Sequence, residues 1–368
     1  MTSPTSNSTW TIPKTATSIS NLTKTTIPLP TPGPHQVLLR ILATSLNYRD
    51  ILIASRSPAY PGDHKPDLTP LSDGAGVIHS THPTSEYAGR EGSTVVVHPN
   101  AWLTGDVRNL DLSDVYGSYA QDGILTEWKI VDDERVIVSK NVLGLDELAS
   151  LPTAGVTAWS AIRECLDGTL SGEIREWTGG WKEKRLAGKT VLTQGTGGVS
   201  SFGIQIAAAL GATVIATSSS DAKLELAKSL GATHLINYNK TPDWDKEVLR
   251  LTNGKGVDHV IEVGGAQTLM KSLNSTRPGG LVSVIGILSE AEKLSEEFLP
   301  AVLFGGKIVK GCVAFSRDMT AEFVSFVEEH GIKPVIAKTF EFDQAIEAFD
   351  ALQKQNAVGK IIIRIGQE

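Results

Sequence analysis

Cysteine is scarce in this chain. Cys165 and Cys312 are the only two in 368 residues, so neither a disulfide framework nor a cysteine-built zinc centre is available. No apolar run approaches the roughly 18 residues that a membrane-spanning helix needs. Basic residues do not dominate either: 34 Lys and Arg stand against 41 Asp and Glu, a net charge of −7. That balance gives no reason to expect nucleic acid or an anionic membrane as a partner. The opening stretch MTSPTSNST is polar and has no apolar signal-peptide core. The expectation is a cytoplasmic protein whose residues 1–8 form a disordered tail. Internal repeats are absent.

The rest is ordinary α/β material, with 40% hydrophobic and 20% charged residues and 35 glycines. The length suffices for two domains with ample core. From Thr9 to about Val138, short apolar runs alternate with proline and glycine, as in 37–42, 76–78, 93–97 and 128–131. This pattern predicts a β-rich domain with long loops. Two helices are expected near 146–151 and 154–162. The polar segment 166–188, with Trp177 and Trp181, reads either as a surface insertion or as a lid or subunit contact.

The stretch VLTQGTGGVSSFGIQIAAALG, residues 191–211, organises the second half. A β-branched run predicts a buried strand, Gly195-Thr196-Gly197-Gly198-Val199-Ser200 a glycine turn, and the apolar spacing after Ser200 a helix that stops at Gly211. Strand, turn and helix open a dinucleotide-binding βαβ unit, in which backbone N–H groups at the helix start receive the pyrophosphate. The third glycine of the G-x-G-x-x-G pattern is Ser200, and a glycine turn alone equally fits a purely structural βα unit. The following strand, 212–217, completes the unit.

The end of that strand bears on the choice of cofactor. An NAD site commonly places an acid there for the ribose 2′-hydroxyl, whereas this chain reads Thr217-Ser218-Ser219-Ser220. Asp221 follows as a helix N-terminal residue. Small hydroxyls with Lys223 nearby suit a 2′-phosphate, which points to NADP(H). A serine-rich turn with a surface lysine is the plainer reading. Further strands are predicted at 234–238, 257–263, 281–286 and 307–312, and a closing strand at 359–365 returns to the first domain.

The order of motifs PGPHQVLLRI, LNYRD, PLSDGAGVI, LPTAGVTAWSAI, VLTQGTGGVS, VIATSSSDAKLELAKSLGATHLINY, GVDHVIEVGG and RPGGLVSVIG resembles the medium-chain dehydrogenase/reductase superfamily over about residues 9–366. The resemblance implies a Rossmann doubly wound parallel sheet, residues 151–311, inserted in a GroES-like β-rich catalytic domain, residues 9–150 and 312–368. The active site is implied to lie in the cleft between them. Zinc-dependent members carry ligands at positions that read Asn47, Ser72 and Ala154 here, and none of these suits zinc. The resemblance is therefore to the zinc-independent branch, near quinone oxidoreductases and enoyl reductases, with no metal expected.

That branch implies pyrophosphate contacts at Gly197, Gly198 and Val199, and a 2′-phosphate site at Ser218, Ser219, Lys223 and Tyr238. Thr157, Gly264, Ile285, Phe315 and Ser316 are implied to border the nicotinamide. Asn47 is implied to hold the nicotinamide ribose or the substrate carbonyl, its plainer reading being a capping or turn asparagine. Hydride transfer leaves charge on the substrate oxygen, so a metal-free site needs a donor. Tyr60 is the first candidate and Tyr48 the second, although each ring also suits plain packing. His98 reads as structural, Asp73 as a loop anchor, and Asp50 as an ion-pair partner of Arg49 or another cation. The leading expectation is an NADP(H)-dependent, metal-free oxidoreductase acting on a small carbonyl, quinone or activated alkene. A zinc-independent alcohol dehydrogenase and an NADPH-binding protein without turnover are the alternatives. A homodimer is expected from the family.

Overall fold

The computed structural model describes residues 5–60, 62–166, 185–286, 293–354 and 358–366. The chain divides into two compact units, residues 1–156 with 315–368, and residues 157–314. Pro61 and most of the 166–188 segment, with Trp177 and Trp181, lie outside the described residues.

The first unit begins with β1 (Ser6–Thr11), β2 (Thr23–Pro28), β3 (Gln36–Ser45), α1 (Tyr48–Ala54), β4 (Asp73–Thr81) and β5 (Thr94–Val97). It continues with β6 (Trp128–Asp132), β7 (Val136–Val138) and α2 (Leu145–Ala149). The second unit holds α3 (Thr157–Leu166), β8 (Thr190–Gln194), α4 (Gly198–Ala209), β9 (Thr213–Ser218), α5 (Asp221–Ser229) and β10 (His234–Asn237). It goes on with α6 (Trp244–Leu251), β11 (Val257–Glu262), α7 (Ala266–Ser275), β12 (Thr276–Val284), α8 (Phe298–Leu303) and β13 (Ile308–Gly311). The chain then returns to the first unit through α9 (Arg317–His330), β14 (Ile336–Glu341), α10 (Ala345–Gln353) and β15 (Lys360–Arg364).

In the first unit a seven-stranded sheet runs β14-β15-β3-β4-β5-β7, with β6 also paired to β3. Strand β3 is buried along nearly its whole length because it is flanked on both sides. Its Val37, Leu39 and Ile41 join Ile78, Val95, Val97, Phe349, Ile361 and Ile363 in one core. The closing strand does return to this unit. It pairs antiparallel with β3, setting Ile362 opposite Ser45 and Arg364 opposite Ala43.

The expected tail is a correction. Strand β1 starts at Ser6 and pairs with β2. Asn7 is 3% exposed, donating from Nδ2 to the Trp128 carbonyl at 2.9 Å and accepting from the Trp128 N–H at 3.0 Å. Polar residues hold this strand, which is why a search for apolar periodicity passes over it. The helix expected at 154–162 is also more complex: a π-helical turn, Leu151–Val156, precedes α3.

The second unit is a six-stranded parallel sheet in the order β10-β9-β8-β11-β12-β13. Numbered within the unit, this is 3-2-1-4-5-6, the Rossmann order. The order reverses between β8 and β11, so a ligand crevice is expected at the carboxyl ends of those two strands.

Candidate active site

The glycine turn expected to receive a dinucleotide forms at that reversal. Gly195 takes a left-handed φ of 72°, which a side chain would strain. Gly197 is the N-cap of α4, so Gly198 and Val199 present the first free N–H groups of the helix. Ser200 replaces a glycine without penalty because its Oγ donates to the Gln194 carbonyl at 2.6 Å. Close helix–sheet packing is supplied instead by Gly203, where a Cβ would come 2.8 Å from Ile261 Cδ1. The fingerprint spacing gave no hint of that substitution of roles.

Beneath the turn lies a buried network that the sequence reading missed. Glu262, at the end of β11, is fully buried. Its Oε1 accepts from the Gly264 N–H at 2.8 Å, the Gly265 N–H at 3.0 Å and Thr268 Oγ1 at 2.6 Å. Its Oε2 accepts from Gln194 Nε2 at 2.7 Å and from Ser272 Oγ. Five donors and the N-terminus of α7 stabilise this carboxylate, with no cation paired to it among the described residues. The Gln194 Oε1 in turn accepts the Val263 and Gly264 N–H groups at 3.3 and 3.2 Å. Gln194 and Glu262 thus join the two glycine turns, and the Gly264 N–H, expected to border the nicotinamide, is used internally. Ile285 is anchored by its N–H to the Glu262 carbonyl at 2.8 Å. Thr157 is the first residue of α3.

The candidate 2′-phosphate residues come together at the end of β9. The Tyr238 N–H donates to the Ser218 carbonyl at 3.0 Å. Asn239 Nδ2 reaches the Ser219 carbonyl at 2.8 Å. Ser220 caps α5, accepting from the Lys223 N–H. Asp221, the first residue of α5, is turned toward Asn237 Nδ2 at 2.7 Å and Lys240 Nζ.

In the first unit, Asn47 caps the start of α1, its N–H donating to Asp50 Oδ2 at 2.7 Å. Its carboxamide does not stand free. Nδ2 donates to Asp73 Oδ2 at 2.9 Å, and Oδ1 accepts from Lys360 Nζ at 2.5 Å. Asp73 is fully buried, and far from being only a loop anchor it gathers several donors. Ser45 Oγ lies at 3.0 Å, Ser72 Oγ at 3.3 Å, the Thr153 N–H at 3.1 Å, and Thr153 Oγ1 also donates. Lys360 Nζ completes the ring at 3.5 Å, its side chain only 4% exposed. Burial lowers the Lys360 pKa, against the pull of Asp73 and Asp50. Burial likewise raises Asp50 to about 6, opposed by Arg49 and the Asn47 N–H. The Arg49–Asp50 pair expected from the sequence is present at 3.7 Å.

Tyr48 and Tyr60 are both partly buried and pack on the first unit's core. Tyr60 stacks with His64, centroids 6.0 Å apart, lies beside the Tyr119 ring, and has the Arg49 guanidinium 5.5 Å from its centroid. Its hydroxyl is 3.4 Å from Ser118 Oγ. His98 is fully buried between Thr320 Oγ1 and Asn100 Oδ1, at 3.0 and 3.2 Å, and burial lowers its pKa to about 3. The Phe315 carbonyl accepts from Asn100 Nδ2 at 3.2 Å, while Ser316 Oγ caps α9 by accepting the Met319 N–H at 3.3 Å.

Comparison with known proteins agrees with this fold. The alcohol dehydrogenase GroES-like domain profile matches residues 33–141, and the zinc-binding dehydrogenase profile matches residues 198–329. The zinc-type alcohol dehydrogenase-like protein C1773.06c of Schizosaccharomyces pombe is 35% identical over 335 residues, covering 90% of this chain and 92% of that protein. The chain belongs to the medium-chain dehydrogenase/reductase superfamily. The mitochondrial NAD(P)H oxidoreductase RTN4IP1 of Bos taurus is 28% identical, covering 90% of this chain and 82% of its own. A crystal structure of an NAD-dependent alcohol dehydrogenase superposes with a TM-score of 0.84 at 28% identity, over 98% of this chain and all of that one. The protein is an NAD(P)-dependent oxidoreductase of this superfamily.

One family profile is described as zinc-binding, so the donor set has to be weighed. The three positions implied to carry ligands in zinc-dependent members hold an amide, a hydroxyl and a methyl group here. The amide oxygen of Asn47 already takes the Lys360 ammonium, and Ser72 Oγ faces Asp73 and Thr153 Oγ1. A dication at Asn47 Oδ1 would meet an ammonium across a single oxygen. Among the described residues, no group of three or more His, Cys, Asp or Glu could hold a metal ion. These residues do not fit a catalytic zinc.

Proposed function

We propose that this protein is an NADP(H)-dependent oxidoreductase that transfers hydride, without a catalytic zinc, to a small carbonyl, quinone or activated alkene. The observation that carries this reading is Lys360 against Asn47, a buried ammonium beside a position where zinc-dependent relatives are expected to bind metal. The cofactor supplies the hydride. The chain's own residues orient it and stabilise the developing oxyanion, with Asn47 as nearest donor and Tyr60 or Tyr48 as proton source. The end of β9 supports the phosphorylated cofactor, since Asp221 is engaged elsewhere and Lys223 has no carboxylate partner among the described residues.

The similarity to an NAD-dependent alcohol dehydrogenase favours a second reading, NAD-linked alcohol oxidation. Oxidation of NADPH and of NADH, followed by absorbance against quinones, enones and aldehydes, separates the two. The first reading expects turnover that prefers NADPH. Preference for NADH, or turnover only of NAD+ with alcohols, refutes it.

For assembly, we infer a homodimer formed through α8. Leu299, Leu303 and Phe304 are 74%, 73% and 86% exposed there, next in the chain to the edge strand β13. An apolar patch of this kind ordinarily has a partner.

A further inference from the structure

Lys360 has three hydrogens to donate and no acceptor, while an ionised Asp73 only accepts. Between them the carboxamide of Asn47 has one possible orientation: its oxygen must face Lys360 and its nitrogen Asp73. The three hydrogens of Lys360 find the Leu46 carbonyl at 2.8 Å, Asn47 Oδ1 at 2.5 Å and Asp73 Oδ2 at 3.5 Å. Asp73 is saturated by Ser45, Asn47, Ser72, Thr153 and Lys360. Among the described residues, that accounting leaves one hydrogen of the Asn47 amide unused. Four remote parts of the chain take part: the end of β3, the start of β4, the Leu151–Val156 turn and the start of β15.

We propose that Lys360, together with Asp73, is a positioning residue that locks the Asn47 amide so that its remaining N–H points at the reacting oxygen of the substrate. The inference rests on the metal-free reductase reading above and adds the device that fixes the donor in place of a Lewis acid. A preset donor costs no reorganisation when charge develops. A purely structural role would make the same cluster a buried ion pair joining β15 to β4, with no effect on the chemical step beyond folding.

The test uses the full-length chain. Lys360→Met/Asp73→Asn removes both charges together, avoiding an unpaired buried carboxylate. The double variant is expected to melt near the parent and bind NADPH within about twofold, with KM little changed and kcat down by roughly 30-fold or more. Adding Asn47→Ala should then lower kcat by less than about twofold, since both changes act through one amide. A folded double variant with parental kcat overturns the inference, as does an Asn47→Ala effect that multiplies in full.

A second measurement needs neither turnover nor a stable double variant. In the parent, the 15N-labelled Asn47 side chain, assigned by its loss in Asn47→Asp, should show one hydrogen protected from exchange and one exchanging freely. Two protected or two free hydrogens overturn the inference. If the parent reduces no acceptor, the reductase reading fails on that result alone, and the exchange pattern still decides the orientation of the amide.

Discussion

Lys360 and Asn47 are 313 residues apart in the chain and 2.5 Å apart in the fold. Only the pairing of β15 with β3 brings them together, and their contact places a fixed positive charge beside the residue expected to touch substrate. With β3 also pairing β4, which sets Ser45 opposite Asp73, Asp73, Asp50 and Lys360 share one buried pocket of charge.

Asp50 gives that pocket a pH signature. It is 1% exposed, and burial raises its pKa from 3.8 to about 6. A carboxyl whose folded pKa lies above its unfolded value binds its proton more tightly when folded. Its contribution is therefore favourable below about pH 4 and is lost as pH rises through about 6, a difference of roughly 3 kcal/mol. Asp50→Asn should stabilise the protein by about 2 kcal/mol at pH 8, with the gain vanishing toward pH 4. Urea unfolding at both pH values checks this, and an equal effect at both would contradict it.

Glu262 ties together the two glycine turns proposed to hold the dinucleotide. Glu262→Ala strands the Gln194, Thr268 and Ser272 donors and two backbone N–H groups, at a cost of at least about 3 kcal/mol. Because Gln194 and Glu262 connect the two glycine turns, cofactor affinity should fall with stability. Glu262→Gln should lie between, since its amide nitrogen faces donors. Denaturant midpoints and NADPH fluorescence titration measure both effects.

On the proposed NADP(H) reading, Lys223 sets the cofactor preference. Lys223→Glu should reduce the ratio of NADPH to NADH affinity by roughly tenfold or more, since charge-assisted contact becomes repulsion. Equal losses for the two cofactors would remove Lys223 from the 2′-phosphate site.

The exposed face of α8 predicts an interface. The parent should sediment as a dimer, and Phe304→Glu with Leu303→Glu should shift it to monomer without lowering the melting temperature. A monomeric parent refutes that assignment.

Much of the fold was legible in the sequence, because its βα units combine apolar periodicity with glycine stops. The strand at 359–365 and the turn at 195–200 are examples. What escaped was polar. β1 is held by Asn7 and threonines, and Glu262 and Gln194 read as ordinary strand ends. Lys360 fell within the predicted closing strand with nothing to mark it, since one buried lysine leaves no periodic trace. Asn47 was visible as a candidate, yet the engagement of its amide depends on Asp73 and Lys360, whose closeness only the sheet pairing produces. Gly203, rather than a third fingerprint glycine, gives α4 its close approach to the sheet.

The most direct test of the central claim is to treat the purified protein exhaustively with a chelator, measure its zinc by mass spectrometry, and follow NADPH oxidation with the best acceptor. Zinc well below one atom per chain with full turnover is the result expected for a site built on Asn47 and Lys360. Turnover that disappears with the metal and returns on adding zinc would contradict it.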